Sequence, residues 1–121
     1  MPINSEIVAQ LSSLNLAAAV ERVGGDEELL VDIAGVYLAE YPSLMEEIAK
    51  AVAAGDAAGL THSAHTLKGS LATIGAERAA SIALRLEMMG RHADTSSARP
   101  ALESLQAAVQ VVHRDLDVLI G

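Results

Sequence analysis

Apolar residues in this chain recur at three- and four-residue steps over several long stretches, and that spacing restricts the fold more than any other feature. The last stretch is the clearest: Leu102, Leu105, Val109, Val112, Leu116 and Leu119 are separated by 3, 4, 3, 4 and 3 positions. Leu60, Ala64, Leu67, Leu71 and Ile74 follow with 4, 3, 4 and 3. At about 100° per residue such positions form one stripe along a helix, the stripe of a helix packed inside a bundle. No segment shows the convincing two-residue alternation of a strand.

Helix starts and stops divide the chain into a series of helical segments. A short one covers about residues 4–13 and carries Ile7, Val8 and Leu11. A second runs from Leu16 to Val23 and stops at Gly24-Gly25. Asp26 caps the next helix, with Glu27 and Glu28 in its positive first turn. That helix carries Leu30, Ile33, Tyr37, Tyr41, Leu44 and Ile48, and Pro42 within it predicts a kink or a restart. Gly55-Asp56 closes it and opens the helix of His65, which ends near Ile74-Gly75 with glycine as the left-handed cap.

A further helix, about residues 76–90, buries Ala79, Ala83, Leu86 and either Ile82 or Met89. The polar stretch 92–97 is a loop. Ser97 is placed to cap the last helix, where Pro100 is tolerated in the first turn. The expected fold is all-α: an antiparallel up-down four-helix bundle with a short extra N-terminal helical segment, residues 1–121 making a single domain.

Composition agrees with that fold and excludes several functions. Hydrophobic residues make up 51% of the chain with only two tyrosines as aromatics, so the core is aliphatic, which favours closely packed helices. The absence of cysteine rules out disulfides and thiolate metal sites. No run reaches the 18 or more apolar residues of a membrane span, and no basic-then-apolar leader opens the chain. A soluble, cytoplasmic protein without membrane association is expected. The net charge of −8 argues against nucleic acid as a partner, which needs a basic footprint. Residues 1–60 carry 10 acids and 2 bases, whereas residues 61–121 carry 6 of each. The half that contains His65 is thus spared the excess negative charge, which suits a site that holds a phosphoryl group. Acidic helix surfaces that simply maintain solubility account for the same asymmetry.

The chemistry concentrates in Ala64-His65-Thr66-Leu67-Lys68-Gly69-Ser70. His65 falls about 140° from the centre of its helix's apolar stripe, with Lys68 and Gly69 flanking it one turn on. Helical side chains lean toward the N-terminus, so the Lys68 ammonium is expected to tilt over the imidazole. An exposed imidazole with a cation above it and open space beside it suits a histidine that carries a phosphoryl group. A plain surface histidine with a chance lysine nearby fits the same spacing. The glycine is harder to place by chance, because inside a helix it costs about 1 kcal/mol relative to alanine and marks close backbone approach or a need for room.

The ordered set of motifs resembles a known family. His65-Thr66-Leu67-Lys68-Gly69-Ser70, Gly75-Ala76, Leu86-Glu87 and Gly90-Arg91 look like the signature of histidine-containing phosphotransfer (HPt) domains. Upstream, Arg22-Val23-Gly24-Gly25-Asp26 with Leu29-Leu30, then Glu40-Tyr41-Pro42 and Gly55-Asp56, match in the same order. The resemblance covers roughly residues 16–91. The family often has phenylalanine on its second long helix, whereas this chain has none and places Tyr37 and Tyr41 there.

The resemblance implies a phosphorelay protein of a two-component system. An aspartyl phosphate on a response-regulator receiver domain would pass its group to Nε2 of His65, and His65 would pass it to another receiver. Lys68 would neutralise the phosphoryl oxygens, and Gly69 would admit the phosphoryl group and the partner's loop. The implied partners are receiver domains or a hybrid sensor histidine kinase. No cofactor of its own is expected, Mg²⁺ coming from the receiver, and no metal site. The chain has no P-loop and no kinase-type glycine loop, so it is expected to be a phosphoryl-transfer intermediate rather than a free-standing kinase.

Two other readings share the fold: a docking module that binds a receiver or kinase without chemistry, and the histidine-bearing module of a chemotaxis-type kinase. Among the remaining candidates, His62 reads as a solvated residue, and a His62/His65 metal pair lacks two further obvious ligands. His92 reads as a loop residue and His113 as structural or solvated. Ser70 is expected to pack against or bond to a neighbouring helix, Thr61 and Ala72 to line the surface beside His65, and Leu86-Glu87 to be core plus solvated face.

Overall fold

A computed structural model describes residues 12–120 of the chain. It contains five helices: α1 (Leu16–Arg22), α2 (Glu27–Ala54), α3 (Ala57–Thr73), α4 (Glu77–Arg91) and α5 (Ala98–Ile120). No strand occurs among the described residues. Of the helical segment expected over residues 4–13, residues 4–11 lie outside the described part, and Ser12 and Ser13 form a turn rather than a helix.

Asp26 and Asp56 cap their helices as the sequence predicts. The Asp26 side chain accepts from the Leu29 N–H and the Asp56 side chain from the Gly59 N–H, so α2 and α3 each begin with an orphan donor satisfied. Gly55 ends α2 at φ +65°, and Gly75 follows the end of α3 at φ +81°. Gly75 does more than turn the chain. Its carbonyl accepts from the Asn15 N–H at 2.8 Å, and a Cβ on it would lie 2.5 Å from the Asn15 carbonyl oxygen. The segment leading into α1 is thereby fastened to the α3–α4 turn.

Helix α2 runs unbroken for 28 residues through Pro42, so no restart occurs there. A proline removes one backbone donor, but buried positions on both sides, Leu30, Ala34 and Tyr37 before it and Met45 and Ile48 after it, hold the two halves to the same core. The four long helices pack in chain order, α2 on α3, α3 on α4 and α4 on α5, and α5 closes back on α2. Short connections force consecutive helices to run antiparallel, giving the four-helix bundle. Its centre is aliphatic: Leu30, Ile48, Leu60, Leu67, Leu71, Leu86, Leu105 and Leu116 are fully buried. All six residues of the α5 seam are buried, as their spacing predicts. Ile33, Tyr41 and Leu44 are only half-buried.

Two local arrangements bear on the site. Helices α3 and α4 approach closely at Gly90, where a Cβ would meet Thr61 Oγ1 and lie 2.7 Å from the Ala57 carbonyl oxygen and 2.8 Å from the Thr61 nitrogen. The two tyrosines that stand on α2 pack with His113 of α5. The Tyr37 hydroxyl and His113 Nε2 are hydrogen-bonded at 2.9 Å, and the Tyr41 and His113 rings meet edge to face at 4.4 Å between centroids. Half-buried His113 is therefore structural.

Candidate functional site

His65 lies in the middle of α3, with Leu60, Ala64, Leu67 and Leu71 buried on the other side of the helix. Because those four are fixed in the core, the imidazole is turned outward, and its side chain is 60% exposed. Its Nδ1 is 3.2 Å from Glu87 Oε2 on α4. An ionised carboxylate only accepts, so the shared proton sits on Nδ1 and His65 donates. In the neutral ring that leaves Nε2 with the lone pair.

Glu87 is the residue that sequence reasoning misplaced. Expected on a solvated face, it is 3% exposed, the one buried charged residue among those described. A carboxylate is costly to bury unless it is paired, and here it is paired three times. Lys68 Nζ approaches Oε1 at 2.7 Å as an ion pair. Arg91 reaches Oε2 with both Nε, at 2.9 Å, and Nη2, at 2.8 Å. Lys68 first, then Arg91 and His65, hold the Glu87 carboxyl down to about 2, against burial, which pushes it up.

This corrects a second expectation. The Lys68 ammonium does not tilt over a free imidazole but reaches to Glu87 on the neighbouring helix. Lys68 and His65 are brought together through a shared carboxylate rather than by direct contact. The position of Glu87 has a signal in the sequence: Ala76, Ala80, Ala83, Glu87 and Gly90 are spaced by 4, 3, 4 and 3, so Glu87 occupies a place in a stripe of small residues. The role of Arg91 follows from its place one turn after Glu87.

Gly69 is where open space was expected. A Cβ built on it meets nothing within 4 Å, in contrast to Gly90. Close packing within the described residues therefore explains Gly90 and does not explain Gly69. His65 stands between two shallow depressions. One, against α4, is lined by Ala57, Thr61, His62, Gly90 and Arg91. The other, against α2, is lined by Ile33, Val36, Tyr37, Glu40 and Gly69. A deeper depression among residues 12–15, the start of α4 and α5 includes none of His65, Lys68 and Gly69.

The other candidates have ordinary places. Thr61 and Ser70 donate their hydroxyls to carbonyls one turn back on their own helix, Ala57 and Thr66, so the bond from Ser70 to a neighbouring helix is not formed. His62 is exposed. Among the described residues no group of three or more His, Asp or Glu is arranged to hold a metal ion. None of the described helices is long and apolar enough to cross a membrane.

Comparison with known proteins agrees with the bundle. No curated protein matches the chain significantly. Among solved structures, the chain is similar to the histidine-containing phosphotransfer protein B of Pseudomonas aeruginosa PAO1. The TM-score is 0.64 at 23% identity, with 89% of this chain and 88% of the other covered, a likeness of fold. The family model for the Hpt domain matches residues 32–115, well over half of the sequence, and includes the whole of α3 and α4. The chain belongs to the Hpt domain family, the histidine phosphotransfer domains of phosphorelays.

Proposed function

We propose that this protein accepts a phosphoryl group from the aspartyl phosphate of a response-regulator receiver domain onto His65 and passes it to another receiver, as a cytoplasmic step of a phosphorelay. The observation that carries the reading is the outward-facing imidazole whose Nδ1–H is bound to buried Glu87. It leaves Nε2 with its lone pair toward solvent beside an unfilled space at Gly69.

In the transfer, Nε2 of His65 attacks phosphorus, and the N–P bond forms as the bond from phosphorus to the aspartyl oxygen breaks. The electron pair of the broken bond returns to the receiver's carboxylate. No proton need move, because Nδ1 keeps its hydrogen throughout. The ring becomes positive as the bond forms, and the Glu87 carboxylate, bound to the Nδ1–H, keeps the tautomer fixed throughout. Lys68, 28% exposed, and Arg91, 52% exposed, keep part of their cationic heads within reach of phosphoryl oxygens. Gly69 leaves room for the partner's active-site loop, and the receiver supplies the Mg²⁺. Loading comes from another protein or a partner domain.

The test is incubation with a ³²P-labelled receiver domain. Label on the wild-type protein that is acid-labile and base-stable, and absent from His65→Gln, supports the assignment. Equal labelling of His65→Gln overturns it.

A further inference from the structure

The charge inventory around Glu87 points beyond orientation of the imidazole. Within direct reach of its carboxylate stand two permanent cations, Lys68 and Arg91, and one titratable ring, His65. With the ring neutral, one carboxylate against two cations leaves the cluster one positive charge in surplus. A dianionic phosphoryl group on a ring that keeps its Nδ1 proton brings the same cluster to neutrality. The resident carboxylate and the incoming phosphoryl group therefore draw on the same two cations.

The positions of these groups allow an exchange. Glu87 is fixed in the α3–α4 interface at 3% exposure, whereas its partners reach it from partly exposed side chains. Arg91 also lines the depression beside His65, with Thr61, His62 and Gly90. Its guanidinium can turn from the carboxylate toward an anion in that depression without leaving the surface.

We propose that Glu87 acts as a resident competitor of the phosphoryl group for Lys68 and Arg91, and so sets how far the transfer equilibrium lies toward phosphorylated His65. It is a positioning residue that makes no contact with the partner. Resting on the phosphotransfer reading, the inference adds to it the residue that keeps His65 a good donor. Without the carboxylate both cations would serve the phosphoryl group alone, and the group would be held rather than passed on.

Glu87→Gln isolates the charge, because an amide oxygen at the same place still accepts from His65 Nδ1. Wild type and variant are each brought to equilibrium with one purified receiver domain loaded from ³²P-labelled acetyl phosphate, and the label on the two proteins is compared. Glu87→Gln should shift the ratio toward the histidine protein by about tenfold, the scale of one unit charge removed at this range in a half-exposed site. Arg91→Ala and Lys68→Ala should shift it the opposite way. An unchanged ratio in Glu87→Gln, with transfer merely slower in both directions, overturns the inference and leaves Glu87 as an orienting group. If Glu87→Gln fails to fold, the sign of the Arg91→Ala and Lys68→Ala shifts decides: a ratio unmoved in both overturns the inference. An unlabelled wild-type protein would instead remove the phosphotransfer reading itself.

Discussion

Replacing Gly69 and Gly90 by alanine, one at a time, separates two reasons for keeping a glycine inside a helix. The intrinsic term is the same for both, a gain of about 1 kcal/mol when glycine becomes alanine at a helix interior. At Gly69 nothing opposes it, since the new methyl meets no atom within 4 Å. Gly69→Ala should therefore raise stability by up to about 1 kcal/mol, or about 3–5 °C in Tm for a domain of this size. At Gly90 the methyl would lie 2.7 Å from the Ala57 carbonyl oxygen and 2.8 Å from the Thr61 nitrogen. These are backbone atoms that cannot swing aside, so α3 and α4 must separate. Overpacking of this kind costs about 1–3 kcal/mol, and after the propensity gain a net loss of up to about 2 kcal/mol is expected. Urea and thermal unfolding followed by circular dichroism measure both. A larger side chain completes the comparison: Gly69→Leu should keep a stability near that of wild type yet slow phosphoryl transfer from a receiver at least tenfold, through blocked approach. Destabilisation by Gly69→Ala, or transfer by Gly69→Leu at the wild-type rate, refutes the view that this glycine is kept for a visiting partner.

Two further predictions concern pH. Glu87 has its folded-state value lowered from 4.5 to about 2 by Lys68, Arg91 and His65, so its contribution to stability is complete above about 4.5 and is lost as pH falls toward 2. Urea unfolding between pH 5 and pH 2 should show a smaller loss of stability in Glu87→Gln than in wild type, and parallel curves would contradict the pairing. His113, which burial holds below its ordinary value against the opposing pull of Asp117, takes up its proton in the unfolded chain before the folded one. Its contribution is complete above about 6.5 and declines as pH falls below that. The His113 ring resonances followed by NMR should titrate below the model-peptide value, and a midpoint at or above 6.5 counts against the buried contact with Tyr37.

Helices and their ends were legible in the sequence because they rest on local chemistry. The Asp26 and Asp56 caps, the left-handed glycines at 55 and 75, and the seam from Leu102 to Leu119 all stand where the residue pattern puts them. At Pro42 the restart does not occur, because local chemistry was not the deciding factor: buried residues on both sides carry α2 across one missing hydrogen bond. The direction of His65 was legible as well, since it is fixed by residues of its own helix. Lys68 was not, because a long flexible side chain goes to the nearest opposite charge, and that charge stands on a different helix.

By itself, then, the chain determined an aliphatic bundle of helices and turned one imidazole outward, for periodicity and caps act within a few residues of each other. Only the tertiary structure decided what surrounds that imidazole. Bringing α4 against α3, at a distance that Gly90 permits, inserts the Glu87 carboxylate between Lys68, Arg91 and His65, residues up to 26 positions apart in sequence. A buried charge takes its meaning from what packs against it, and that is settled between helices, not along them.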